Sequence, residues 1–156
     1  MPRIEDLTEV QRQSVLNFAC FEYDDAPFAP LEKPLRQTVL ALVTTAGLHV
    51  RGDKPFASGD QSYRVIPSDT PVADILQTHT SIGFDRTPFY RDINVTFPAD
   101  RLRELADRGV IGGVSKNYYS FMGAQGNPKL ILEQTGPEVA RLLLEEGAGA
   151  AFLTPT

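Results

Sequence analysis

Two histidines, several carboxylates and one arginine are the side chains here that could move protons or grip a charged ligand. His49 follows the apolar run Val39–Thr44, where a buried strand is expected to end. His79 lies in a loop after a short predicted helix. An imidazole titrates near neutral pH, so either ring suits acid–base work or hydrogen bonding at a sheet edge. With Asp60 or Asp92 they could bind a metal, but two isolated histidines without ligand spacing make a poor set, and no metal is expected. The plainer alternative is a pair of ordinary loop histidines. Asp60-Gln-Ser-Tyr-Arg64 places a carboxylate and a guanidinium in one loop, either as a solvated strand edge or as a grip on a polar substrate.

Other candidates read more simply. Cys20, the only cysteine, sits between Ala19 and Phe21 on an apolar helix and is expected to be a buried structural thiol. Tyr118–Gly123 groups aromatics with a methionine and reads as core. Asp100, Arg103 and Glu104 form the wet face of a helix. A Walker A loop, a GxGxxG turn and a GxSxG elbow are all absent, which argues against a nucleotide cofactor and a serine nucleophile of that type.

The elements that must position these groups follow from composition and pattern. The 156 residues suit one domain with a real core, and 42% hydrophobic residues argue against disorder. Fifteen basic and 20 acidic residues give a net charge of -5 with no basic run, so nucleic acid is a poor partner. Neither a secretory h-region nor an apolar run of membrane-spanning length is visible, and a cytoplasmic protein is expected.

Residues 1–22 read as a helix with Thr8 as N-cap and Val10, Val15, Leu16 and Phe18 as apolar positions. Residues 24–34 hold three prolines and read as a linker, so the main domain is expected over 35–156. Val39–Thr44 reads as a strand buried on both faces. Residues 48–69 read as a long loop with a short strand at 63–66, followed by a helix starting at Thr70-Pro71. Residues 78–92 read as loop, Ile93–Phe97 as a strand, and 98–108 as a helix stopped by Gly109, before a strand over 110–114. Thr135-Gly-Pro-Glu138 reads as a capping box opening a helix that ends at Gly147, and residues 150–153 as a last buried strand. Alternating strand and helix predicts an α/β fold with a parallel or mixed sheet and helices on both faces.

Several stretches together resemble the selenoprotein B family of glycine, sarcosine, betaine and D-proline reductases, its D-proline reductase members above all. They are ALVTTAGLHVRGDKPF (41–56), GDQSYRVIPSDT (59–70), THTSIGFD (78–85), RDINVTFPADRLRELADRGVIGG (91–113), YYSFMG (118–123) and EVARLLLEEGAGAAFLTPT (138–156). In that family a stretch like AAFLTPT leads directly to the redox residue, a selenocysteine or cysteine. The resemblance therefore implies a chain that stops just short of its nucleophile. That would be half of a larger doubly wound domain, inactive as written. A UGA codon read as stop is favoured over a naturally short non-redox relative or a cut chain, because the break falls at that position. An edge exposed by the break would pair with another copy, so a homo-oligomer is expected.

The resemblance implies that no cofactor resides in this chain. A partner subunit would carry a pyruvoyl group holding the amine of a small amine or amino-acid substrate. A selenolate, ionised at neutral pH, would attack the α-carbon and be resolved by a thiol. Thr44, Thr45, Gly47 and His49 would end one strand at the ligand crevice, and Thr154 and Thr156 another. Asp60, Ser62, Arg64, His79, Asp92 and Asn94 are the candidate polar lining, with His49 or His79 handling protons and Arg64 holding a substrate carboxylate. A non-redox binding module on the same fold and a metal enzyme using both histidines are the alternatives. Sequencing the gene from codon 156 onward is expected to show UGA or a cysteine codon followed by a long open frame. UAA or UAG there would favour the binding module.

Overall fold

The computed structural model describes residues 3–17, 22, 24–26, 28–81 and 83–155. The chain divides into two compact units, Met1–Pro30 and Leu31–Thr156. In the first, helix α1 spans Glu9–Leu16, shorter than the 1–22 expected. Thr8 is its N-cap as expected, its hydroxyl accepting from the Gln11 amide while the Gln11 side chain reaches back to the Thr8 N–H. Val10, Val15 and Leu16 are exposed. Phe18 and Cys20 lie outside the described residues.

The second unit is built on β1 (Val39–Thr44). Beside it run β5 (Gly113–Val114) and β6 (Asn117–Phe121) on one edge, and β7 (Ala150–Thr154) on the other, all parallel to it. Antiparallel to β6 lies β3 (Tyr63–Pro67), which makes the sheet mixed. A separate ribbon pairs β2 (Leu48–Val50) with β4 (Ile75–Gln77). Helices α2 (Thr87–Arg91), α3 (Ala99–Asp107) and α4 (Gly136–Glu145) complete the unit. This is the α/β architecture with a mostly parallel sheet that the sequence predicts.

Alternation along β1 sorts the core into two layers. Leu40 and Leu42 pack with Phe97, Leu102 and Tyr118 on the α3 face. Ala41 and Val43 pack with Tyr119, Phe121, Val139 and Leu143 on the α4 face. Glu146, just past α4, accepts from the Asn117 backbone and side chain at 3.0 and 2.6 Å, tying the helix end to β6. Gly109 and Gly147 stop α3 and α4 at φ +67° and +80°, which side chains rarely adopt.

Several sequence expectations fail for local reasons. Ile93–Phe97 is not a strand but opens as a 3₁₀ turn over Ile93–Val95, because the Asp92 carboxylate accepts from the Asn94 N–H and bends the chain. The loop expected over 48–69 contains β2, and the one over 78–92 contains α2. Val72–Asp74 is only a 3₁₀ turn leading into β4. Thr135 forms no capping box: a π-helical turn, Ile131–Thr135, runs straight into α4, and the Thr135 hydroxyl donates instead to the Gln61 carbonyl at 2.9 Å. The strand at 150–153 forms but is not buried, since Phe152 and Leu153 are 47% and 65% exposed. Leu42→Ala is expected to cost about 2–5 kcal/mol and Leu153→Ala less than about 0.5 kcal/mol. Urea denaturation of both variants checks this, and equal losses would contradict an open edge at β7.

Candidate functional site

The carboxyl ends of β1, β6 and β7 come together, as expected of a parallel sheet whose ligand crevice lies beyond its strand ends. Two hydroxyls converge on one backbone atom there. Thr44 Oγ1 and Thr154 Oγ1, on adjacent strands, donate to the Thr96 carbonyl at 3.0 and 2.9 Å. Thr44 Oγ1 also accepts from the Ala46 amide at 3.2 Å, and the Thr45 amide donates to the Thr154 carbonyl at 3.2 Å. Thr96 was missed in the sequence because a carbonyl leaves no residue-type signature. The turn carrying it is set by two predicted residues. Asp92 caps the Asn94 amide at 2.9 Å, and Asn94 Oδ1 accepts from the Asp100 amide at the start of α3 at 3.2 Å. Hydrogen bonds from the Asn94 side chain and amide hold the Asp92 carboxyl below the usual range.

Gly47 ends the β1–β2 turn and brings His79 to the same place. Its φ of +66° is one reason for glycine; a Cβ would also lie 3.1 Å from the His79 backbone nitrogen. Its N–H donates to the Phe121 carbonyl at 3.0 Å, and its carbonyl accepts from the Thr78 amide at 2.9 Å. Next door, the Thr80 hydroxyl meets Met122 Sδ at 3.8 Å, and Met122 bridges to Ala46.

The two histidines hold opposite tautomers. His79 is 1% exposed and stacks on Phe84 at 4.2 Å between centroids. Its Nδ1 accepts from the Ser81 amide at 3.3 Å, so the proton of the neutral ring sits on Nε2, which has no partner among the described residues. Burial first, then the nearby Arg86 charge, pushes this imidazole below its ordinary range. His49, 2% exposed on β2, lies with Nδ1 3.1 Å from the Val50 carbonyl, an atom that can only accept. In the neutral ring Nε2 is then an acceptor, with no partner among the described residues. Among the described residues the β2–β4 ribbon and its exit thus carry buried, unpartnered acceptors on His49 and Gln77 and a buried donor on His79.

Asp60, Ser62 and Arg64 form a second cluster. Arg64 donates to the Lys54, Pro55 and Tyr63 carbonyls, to Ser62 Oγ and to Asp60 Oδ2, and lies 4.2 Å from the Phe56 ring centre. Those bonds use all the guanidinium N–H groups, so in this arrangement Arg64 braces its own loop and has no donor left for a substrate carboxylate. Burial alone would raise the Asp60 carboxyl, but the Ser62 hydroxyl and amide and the Arg64 guanidinium outweigh it and hold it low. Gln125, which the sequence reading passed over, links this cluster to the strand ends by donating to the Asp60 and Met122 carbonyls at 2.9 and 3.0 Å. Thr156 lies outside the described residues. Among the described residues no three His, Cys, Asp or Glu side chains gather as metal ligands. No described helix is long and apolar enough to cross a membrane.

Comparison with known proteins identifies the family. The family model of glycine/sarcosine/betaine reductase selenoprotein B matches residues 11–156. The chain belongs to that family. It is 44% identical to D-proline reductase subunit gamma of Acetoanaerobium sticklandii over 128 residues, covering 81% of this chain and 52% of that subunit. It is 30% identical to sarcosine reductase complex component B subunit beta of Peptoclostridium acidaminophilum, covering 86% and 31%. It is 28% identical to glycine reductase complex component B subunit gamma of Carboxydothermus hydrogenoformans, covering 86% and 32%. The chain spans about half the length of the first relative and about a third of the other two. No solved structure matches it. These relatives are named as reductase subunits, and Thr44, Thr154, Gly47 and His79 lie within the residues the family model matches.

His79 also predicts a pH dependence. The unfolded ring titrates near ~6.5 and the folded ring lower, so the unfolded chain binds the extra proton between those values. His79's contribution to stability is therefore intact above pH ~6.5 and lost as pH falls toward the folded value. Urea midpoints recorded from neutral to mildly acidic pH are expected to fall more steeply for the wild type than for His79→Phe. Parallel slopes would contradict the buried neutral ring.

Proposed function

We propose that this chain builds one wall of the substrate crevice in a selenoprotein B-type amino-acid reductase subunit, and that the full enzyme reductively cleaves a C–N bond of D-proline or a related amine. One observation carries the reading: within the stretch 44% identical to D-proline reductase subunit gamma, a buried imidazole whose backbone packs against Gly47 keeps an N–H with no partner among the described residues. A donor of this kind is preorganised for a group that gains negative charge or basicity during reaction.

The nucleophile in this reading is a selenolate or thiolate outside the described residues. It attacks the α-carbon, forming a Se–C or S–C bond as the C–N bond breaks and its electron pair passes to nitrogen. The nitrogen takes a proton, and in D-proline the ring opens. A second thiolate then attacks the selenium or sulfur, and the α-carbon departs with the electron pair and is protonated. The resulting Se–S or S–S bond is reduced by an external dithiol, which supplies both electrons. Starting from D-proline the product is 5-aminovalerate. A pyruvoyl group on a partner subunit would supply the carbonyl that binds the substrate amine.

His79 Nε2–H supplies the proton or hydrogen bond to the departing nitrogen, and His49 Nε2 is the acceptor behind it. Thr44, Thr45, Gly47 and Thr154 shape the wall, and Asp92 with Asn94 fixes the carbonyl that the Thr44 and Thr154 hydroxyls grip. The alternative, a non-redox binding module on the same fold, uses the same wall without the nucleophile.

A complete reductase assembled with this sequence in its B-type subunit is expected to convert D-proline to 5-aminovalerate with a dithiol donor. His79→Phe is expected to lower kcat by about 10²-fold or more, with KM changed less. A variant that works at the wild-type rate removes His79 from the chemistry. Amine binding without turnover in the assembled protein would favour the binding module.

A further inference from the structure

The apolar surface that this unit leaves open is concentrated along one strand. Among the described residues β7 pairs only with β1, so its outer edge presents unpaired backbone N–H and C=O groups. Phe152 and Leu153 point to opposite faces, and both are largely exposed. On the α3 face, Phe152 joins Leu35, Val95 and Val110 around an open groove of about 700 Å³. Residues 147–155 carry no charge, and β7 contains neither lysine nor proline. Strand edges that face water are normally protected by such residues, and an apolar patch of this kind marks a surface that something covers.

The shape of the bare surface and the length of the relatives point to one occupant. A lone extended peptide would satisfy the edge and leave both faces wet, and a lone helix would cover one face and leave the edge unpaired. A strand carrying its own apolar layers satisfies all three at once. The relatives have such material to spare, since this chain spans 52%, 31% and 32% of their lengths. We infer that β7 is the seam on which the remainder of a family subunit packs, with a further strand hydrogen-bonded to the β7 edge and apolar layers over Phe152 and Leu153. This rests on family membership and not on the catalytic reading, so it can fail while that reading stands.

Hydrogen–deuterium exchange on two proteins tests it: the 156-residue chain, and full-length D-proline reductase subunit gamma of A. sticklandii. Amides of residues 150–154 are expected to exchange about 10-fold or more faster in this chain than in the matching strand of the full-length subunit. The part of that subunit outside the matched stretch, added as a separate polypeptide, is expected to slow them in a one-to-one complex. Phe152→Asp is expected to weaken this complex about 10-fold or more. Equally fast exchange in the full-length subunit overturns the inference, whether or not the added part folds. So does a concentration-dependent dimer of this chain that protects β7 and is dissolved by Phe152→Asp, because a second copy would then be the occupant.

Discussion

Burial of β1 on both edges and both faces is the constraint on which the rest of the second unit depends. Six residues, Val39–Thr44, hydrogen-bond to β5 and β6 on one side and β7 on the other. Their side chains alternate between the α3 and α4 layers. A strand in that position has no room for polar side chains along its length, so polarity collects at its end. Thr44 is where this happens. It is fully buried, yet its hydroxyl is satisfied by a carbonyl from the loop entering α3 and by the amide two residues on. The way the central strand terminates follows from this, because an unmet hydroxyl there would be costly.

The polar groups around the strand ends divide into those that are satisfied and those that are not. Thr44, Thr154, Asp92 and Asn94 spend their hydrogen bonds on the Thr96, Asn94 and Asp100 backbones and hold the strand ends in place. Asp60, Ser62 and Arg64 do the same for the neighbouring loop, tied in through Gln125. Among the described residues His49 Nε2, Gln77 Oε1, His79 Nε2 and Thr96 Oγ1 are the exceptions, buried and without a partner. Rigid, satisfied surroundings make such unspent groups useful, because they reorganise little when a ligand arrives.

What was legible in the sequence follows the same physics. β1, α3 and α4 were readable because an apolar period was bounded by residues with unambiguous backbone roles, such as Gly109 and Gly147. β6 was read only as an aromatic cluster, since Asn117–Phe121 mixes both faces of a buried strand without alternation. Ile93–Phe97 misled because β-branched residues suggest a strand, whereas one Asp92 hydrogen bond decides the turn. At the site, residue types singled out both histidines. They could not show that Arg64 is spent on its own loop or that a backbone carbonyl gathers the threonines, because both depend on chain segments far apart in sequence.

The register of β1 against β7 has a consequence for how the protein is made. Thr44 and Thr154 are partners across 110 residues. A ribosome adding about 5–20 residues per second needs roughly 5–20 s to cover that distance. Throughout that interval the apolar segment that organises the sheet has been synthesised and lacks its neighbour. Parallel pairing of this range is intrinsically slow to form. The nascent chain therefore carries an exposed Val-Leu-Ala-Leu-Val run for seconds, and holdase chaperones that bind short apolar stretches would find their target there, well before the sheet is complete.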